Sequence, residues 1–299
     1  VKLPKELQLA KLVSEAPEGD EWLHEQKFDG YRIVAIKDGA NVRLVSRRFK
    51  DWTAEFPTVA AAVGKLKVKD AILDGEVAML MPDGRTSFQG LQSRAGELVY
   101  FVFDRIDIGD QPLEQRKHAL AELIGTKQEG VVRYSDHVIG RGKEFFQLAC
   151  QRGLEGIVSK RRDSLYTGGR GGAWLKTKCT LRQELVIGGY TDPEGTRTHV
   201  GALLVGYYEG KELRYAGKVG TGFTQKQLVE LAKQFAALAR DTCPFAPAPR
   251  GAGMHWVEPK LVCEVAFAEW TNDGRLRHPS FQGLRADKLA KDVIRERPG

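Results

Sequence analysis

Residues 25–46 read "EQKFDGYRIVAIKDGANVRLVS". Apolar and polar residues alternate through much of the run, the period of half-buried strands. Asp29-Gly30 and Asp38-Gly39 are turn pairs, so the stretch predicts antiparallel strands punctuated twice. Lys27 stands two residues before the first pair and five before Arg32. On one reading it is a solvated edge charge beside a hairpin turn. On the other it is a nucleophile, and Arg32 helps hold what it attacks. The run alone does not separate the two.

Outward from this stretch the pattern continues. "AILDGEVAML" (71–80) and "LVYFVFDRIDI" (98–108) predict further strands, the second apolar enough for the centre of a sheet. "EQRKHALAELI" (114–124) and "KEFFQLACQRG" (143–153) have helical spacing, and Gly153 is placed to stop the second. "EGIVSK" (155–160) and "AWLKTK" (173–178) return to strand, while residues 1–22 read as a loosely structured lead-in. Strands and helices do not alternate strictly, so the class expected is α+β with a mixed or antiparallel sheet. After about Leu181 short strands separated by glycine-rich turns take over: "ELVIGGY", "GALLVGYY", "LRYAGKVG" and "LVCEVAFAEW". One helix interrupts them. It starts at Thr224 with Gln227 completing a capping box, and Leu228, Leu231, Ala232 and Phe235 share a face. "CPFAPAPRGAG" (243–253) reads as a loop. This texture suits a small OB-fold barrel. The expected domains are 1–182 and 183–299.

The chain has 299 residues, a length that suits two domains. Hydrophobic residues make up 42% and charged residues 28%, ordinary for globular protein. No apolar run approaches a membrane span, and the N-terminal segment lacks the apolar core of a secretory signal. The start at Val1 reads as an excised module or a processed end. Cys150, Cys179, Cys243 and Cys263 form no C-x-x-C pair and do not cluster with histidines, which argues against a structural zinc site and predicts reduced thiols in a cytoplasmic protein. A net charge of +7 is compatible with a polyanionic partner.

Seven motifs then occur in order: "KFDGYR" (27–32), "SRR" (46–48), "LDGE" (73–76), "FVFDR" (101–105), "EGIVSK" (155–160), "WLKTK" (174–178) and "LRHPSFQGLRADK" (276–288). A lone K-x-D-G is weak, but this ordered set resembles the covalent nucleotidyltransferases: ATP-dependent DNA ligases, RNA ligases and mRNA capping enzymes. "LPKELQLAKLV", "GLEGIVSKRRDSLYTGGR" and the last motif are similar to the ligase modules of the bacterial ligase D group, which act in non-homologous end joining. The resemblance covers about residues 25–288.

It implies a nucleotidyltransferase (adenylation) domain followed by an OB-fold β-barrel domain. Lys27 takes the position of the lysine that becomes lysyl-AMP. A lysine attacking phosphorus must be neutral, although an unperturbed one titrates near ~10.4. Partial burial, Lys176, Lys178 and a bound metal would favour the neutral amine, and the same cations would stabilise the phosphoryl transition state. Arg32 and Arg47 match arginines at the nucleotide ribose and phosphate, where a planar fork of donors suits oxygen acceptors. Glu76 matches a carboxylate at the ribose hydroxyls or a metal, and Glu155 the metal-binding glutamate, oxygen ligands of the kind Mg²⁺ or Mn²⁺ takes. Phe103 matches the aromatic stacked on adenine, and Glu25 the position at the adenine edge. Arg277, Arg285 and Lys288 would lie on the β- and γ-phosphates of ATP, once a moving OB domain closes over them. His278 and Ser280 depart from the more arginine-rich eukaryotic form of that motif.

Plainer readings stand beside these. Phe103 sits in an apolar strand, where a core aromatic is ordinary. Glu76 and Glu155 adjoin glycines, as turn carboxylates do, and Asp29 reads as a turn residue. His24 reads as structural, the other five histidines lack metal-ligand spacing, and Trp174 reads as core packing. The paired arginines of "SRRF" and "SKRR" suit either a solvated face or DNA phosphates.

The expected function is an ATP-dependent DNA ligase core that seals nicks and breaks with 3′-hydroxyl and 5′-phosphate ends, in bacterial end joining. The rivals are an RNA ligase or capping-type enzyme, and an inactive end-bridging module. ATP and a divalent metal are the implied cofactors. Nicked or broken double-stranded DNA is the implied partner, with the end-binding protein Ku and fused polymerase and phosphoesterase domains in a longer chain. No membrane association and a monomeric, cytoplasmic, nucleoid-associated protein are expected.

Overall fold

A computed structural model describes residues 3–193 and 199–297. Val1, Lys2, 194–198, Pro298 and Gly299 lie outside the described residues, and with them the Val1 start and the outermost ends of the expected domains. The chain divides into two compact units, Val1–Cys179 with Arg297–Gly299, and Thr180–Glu296.

The first unit runs through Lys11–Leu12 (β1), Trp22–Gln26 (β2), Gly30–Asp38 (β3), Asn41–Ser46 (β4), Pro57–Gly64 (α1), Asp70–Leu80 (β5), Phe88–Ser93 (α2), Glu97–Arg105 (β6), Leu113–Ile124 (α3), Val132–Tyr134 (β7), His137–Ile139 (β8), Gly142–Gln151 (α4), Gly156–Arg161 (β9) and Trp174–Lys178 (β10). They form two five-stranded sheets, β1-β10-β9-β2-β8 and β4-β3-β5-β6-β7. The opening stretch is where the chain passes from one sheet to the other. Asp38-Gly39 makes a hairpin as expected, with Asp38 paired to Asn41 and Gly39 at a φ of 57°. Asp29-Gly30 does not, because β2 and β3 belong to different sheets. A Cβ on Gly30 would stand 2.2 Å from the Val77 carbonyl oxygen, so close packing on β5 requires glycine there rather than a turn. Asp29 is buried, and its carboxylate accepts from the Phe88 amide at the start of α2.

The period-two pattern buries both faces of the second sheet. Ile33, Leu73, Val77, Tyr100 and Val102 pack with Val59 and Val63 of α1 and Leu120 of α3. Val34, Ile36, Val45 and Ile72 pack with Leu7 and Ile106 on the other face. Leu7 corrects the reading of residues 1–22. Leu9 and Gly169, then Val13 and Lys176, share backbone hydrogen bonds, and β1 lies parallel to β10. The lead-in has no periodicity of its own because its partners come from the far end of the unit.

In the second unit, Leu181–Thr191 (β11) pairs with Leu203–Glu209 (β12), Met254–Val257 (β15) and Val262–Phe267 (β16). Glu212–Val219 (β13), Ala239–Arg240 (β14) and Ser280–Leu284 (β19) extend these pairings, while Glu269–Trp270 (β17) and Leu276–Arg277 (β18) form a separate ribbon. The expectation of a barrel needs adjustment here, since the paired strands of the described residues do not close into a ring. Gln225–Ala237 (α5) carries the expected capping box on Thr224 and Gln227 and buries Leu228, Leu231 and Phe235, with Ala232 packed against the same core.

The cysteine reading is corrected in part. Cys150 and Cys179 form a disulfide, while Cys243 and Cys263 are free. Their spacing gave no hint of it. The end of α4 and the end of β10 meet because both border β9. In an oxidised preparation two thiols should therefore titrate on denaturation, and four after reduction. Reduction should cost roughly 3–4 kcal/mol from loop-closure entropy, read as a lower denaturant midpoint.

Candidate active site

Lys27 follows directly on β2, and its amide donates to the Gly156 carbonyl at 2.9 Å. The β2–β9 register sets Glu25 opposite Val158, and the β9–β10 register sets Val158 opposite Lys176 and Gly156 opposite Lys178. Residues two apart on a strand share a face. One face of this sheet therefore carries Glu25, Lys27, Lys176 and Lys178. Gly156 has no substitute, since a Cβ would meet the Thr177 carbonyl oxygen at 2.1 Å. That closeness brings Glu155 alongside: its Oε2 lies 2.7 Å from Lys27 Nζ, with the carboxylate 5% exposed and the lysine side chain 23% exposed.

Arg32, Glu76 and Phe103 come from the other sheet. Arg32 pairs across the strands with Glu76. Its guanidinium donates to both oxygens of buried Asp74, at 2.9 and 2.6 Å, and to the Gln8 carbonyl at 2.7 Å. Burial opposes its charge, but Asp74 overcomes this and holds the guanidinium above its ordinary pKa. Tyr166 donates to Asp74 Oδ2 at 2.7 Å, so the carboxylate is held from two sides. Phe103 is half-buried, 5.5 Å from the Arg32 guanidinium, and meets buried Trp174 edge-on at 5.8 Å. Arg47 lies half-buried in the turn that ends β4, on the same sheet.

Glu25 is buried between two cations. Its Oε1 is 2.9 Å from Lys117 Nζ, and its Oε2 accepts from Lys160 at 3.0 Å and from Ser135 at 2.9 Å. Burial would raise its pKa, but the two lysines hold it below the ordinary carboxylate value. His24, on the opposite face of β2, is fully buried against Ser159.

Among the described residues no group of three or more His, Cys, Asp or Glu side chains gathers to hold a metal. Glu155 beside Lys27 is a single carboxylate donor, which fits a hard divalent cation that arrives with a polyphosphate and takes its remaining oxygens from it and from water. It does not fit a resident metal centre.

The three C-terminal cations are set apart by their surroundings. Arg285 is bonded to both oxygens of Asp287 and to Glu264 at 2.8 Å, with 11% of its side chain exposed. Lys288 meets Glu184 at 3.0 Å, 13% exposed. Arg277 is 60% exposed and pairs with Glu269 across the small ribbon.

Asp74, Tyr166, Gln8, Lys117 and Lys160 were not picked out from the sequence. Asp74 and Lys160 sit inside the motifs "LDGE" and "EGIVSK", where the glutamates draw the eye. Gln8 lies within the stretch "LPKELQLAKLV" and Lys117 outside every motif, and no local signal marks either residue.

Residues 6–178 match the family described as "ATP dependent DNA ligase domain", and residues 196–288 match "ATP dependent DNA ligase C terminal region". The "Multifunctional non-homologous end joining protein LigD" of Pseudomonas aeruginosa is 40% identical across 97% of this chain, which covers 36% of that protein. The "DNA ligase" of Thermococcus onnurineus is 32% identical across 92% of this chain, which covers 53% of that protein. The chain thus spans about a third to a half of the length of these relatives. The solved structure "mycobacterial DNA ligase D complexed with ATP and MES" superimposes with a TM-score of 0.71 at 34% identity, covering 97% of this chain and 98% of that one. The architecture is a nucleotidyltransferase domain built on two mixed sheets, followed by an OB-fold domain. The ordered motifs, the Lys27-centred site and these matches agree that the chain belongs to the ATP-dependent DNA ligase family.

Proposed function

We propose that this chain is the catalytic core of a DNA ligase that adenylates itself on Lys27, passes AMP to a 5′-phosphate at a nick or break, and seals it by attack of the 3′-hydroxyl. The observation that carries the reading is the Lys27–Glu155 contact at 2.7 Å. A partly exposed lysine is held by a buried carboxylate, on a face it shares with Lys176 and Lys178. In the first step the Lys27 Nζ–Pα bond forms and the bond from Pα to the bridging oxygen breaks, releasing pyrophosphate. Glu155 is placed to accept a proton from the Lys27 ammonium, and Lys176 and Lys178 to bind the phosphoryl oxygens. A divalent cation, when bound with ATP, supplies further charge neutralisation at the polyphosphate, held by Glu155 and, on this reading, Glu76.

Arg32, already fixed by Asp74 and Gln8, is oriented for the ribose and phosphate without losing side-chain entropy on binding, with Arg47 nearby on its sheet. Phe103 offers the base a ring to stack on. The Glu25 carboxylate is engaged by Lys117 and Lys160, so its contribution at the adenine edge falls to the backbone. The roles of Arg277, Arg285 and Lys288 on the β- and γ-phosphates divide: Arg277 is the exposed donor, while Arg285 and Lys288 shape the final motif through their carboxylate partners.

The domain assignment, 1–182 for adenylation and 183–299 for the OB-fold, goes with this reading. So do an end-joining role in a monomeric, cytoplasmic, nucleoid-associated protein, recruitment by Ku, and polymerase and phosphoesterase domains in a longer chain. The relatives named for non-homologous end joining support that role. Among the described residues no helix is long and apolar enough to cross a membrane.

Incubated with α-labelled ATP and Mg²⁺ or Mn²⁺, the protein should carry label after denaturation, and Lys27→Ala should carry none. GTP should not replace ATP, and nicked DNA should be sealed in preference to nicked RNA. Absence of label on a protein shown by mass spectrometry to be free of AMP would sink the reading. Binding to a nicked duplex should weaken steeply with salt, by about 0.9 in log K per phosphate contact for each unit of log salt. A tight affinity insensitive to salt would contradict a surface that grips phosphates.

A further inference from the structure

Lys117 lies on α3, outside every motif, yet its side chain is 2% exposed and reaches the wall of the site. Its ammonium donates to the Ser135 carbonyl at 2.5 Å, meets Glu25 Oε1 at 2.9 Å, and stands 4.1 Å from the centre of the Tyr134 ring. Glu25 in turn holds Lys160. The Lys160 ammonium lies between two aromatic faces, 4.3 Å from the centre of Phe103 and 4.2 Å from that of Trp174. A line of direct contacts therefore runs from α3 through β2 and β9 to Phe103 on β6.

The charge count of this line is uneven. Two lysines face one carboxylate, all three about 2% exposed or less. Asp104 does not balance them, since Arg116 takes both its oxygens. Burying a second cation is costly, and an apolar residue at 117 would leave a matched Glu25–Lys160 pair. Stability alone therefore gives no reason for Lys117. Position does. Lys117 occupies Oε1, so Glu25 turns Oε2 toward Lys160 and holds that ammonium against the Phe103 ring. The same carboxylate belongs to the strand that carries Lys27 two residues on. Burial and Lys117 both depress the pKa of Lys160, while Glu25 sustains its charge, as expected for a cation held in place by a shared anion.

We propose that Lys117 is a positioning residue for ATP binding, setting the Phe103 ring through Glu25 and Lys160. The inference rests on the ligase reading, in which the nucleoside packs on Phe103. It predicts a split between steps. Lys27 and Glu155 stay paired at the far end of the same face, so chemistry should persist while nucleotide binding weakens.

The test compares wild type, Lys117→Met and Lys117→Arg in two assays on the whole chain. One is self-adenylation against ATP concentration; the other is sealing of a separately prepared DNA-adenylate, which needs no ATP. In Lys117→Met the KM for ATP should rise roughly ten-fold, the scale of one lost charge-assisted hydrogen bond, with the maximal adenylation rate and the sealing rate within about two-fold of wild type. Lys117→Arg keeps the charge but not the point geometry of the ammonium, and its KM should fall between the two. An unchanged KM in whichever variant is recovered folded, or an equal loss in both assays, overturns the proposal. A wild type that takes no label fails the ligase reading instead, so the two failures are distinct.

Discussion

Strand β2 runs beside β9 in one fixed register, and that ladder decides where the chemistry can occur. It sets the Lys27 amide on the Gly156 carbonyl and thereby brings Glu155 to the lysine's own ammonium. A slip of one residue would turn Glu25 and Lys27 to the face now occupied by His24. The register is held from both sides. Gly156 admits the backbone of β10 at a distance no other residue allows, and Gly30 does the same for β3 against β5 just beyond the crossover. Lys27 therefore sits at the point where the chain leaves one sheet for the other, between two contacts that only glycine can make.

Around that point the cations are immobilised by paired carboxylates rather than left to solvent. Arg32 is forked on Asp74 and Arg116 on Asp104, both with little or no exposure. Such pairs gain little net stability, because desolvation offsets much of the Coulomb attraction. Their effect is geometric. A guanidinium held at two points keeps one orientation, and a site that must receive a polyphosphate works best when its donors are aimed beforehand.

The main lines of this arrangement were legible in the sequence. The strand pattern, the Gly153 stop and the Thr224–Gln227 capping box all stand where local chemistry put them. The motifs brought Lys27, Glu155, Lys176 and Lys178 onto two registers of one sheet. What could not be read was set by distance along the chain. Asp29-Gly30 has the composition of a hairpin, yet packing against Val77 made it a crossover. The cysteines at 150 and 179 meet only because α4 and β10 flank the same strand. Lys117 belongs to an ordinary amphipathic helix until Glu25 arrives from β2. Each of these depends on a partner that no local window contains.

The docking of the N-terminal segment on β10 has a consequence for how the molecule is made. Gln8 supplies a carbonyl to Arg32, and Leu9 and Val13 bond to Gly169 and Lys176 at the opposite end of the first unit. Loop-closure entropy of nearly the whole unit must be overcome before those contacts form. Within this unit the segment is made before its partner strand β10, and waits for it. The arginine wall of the site is thus among the final parts to be fixed. Until the segment docks, Arg32 lacks the Gln8 carbonyl that helps to hold it.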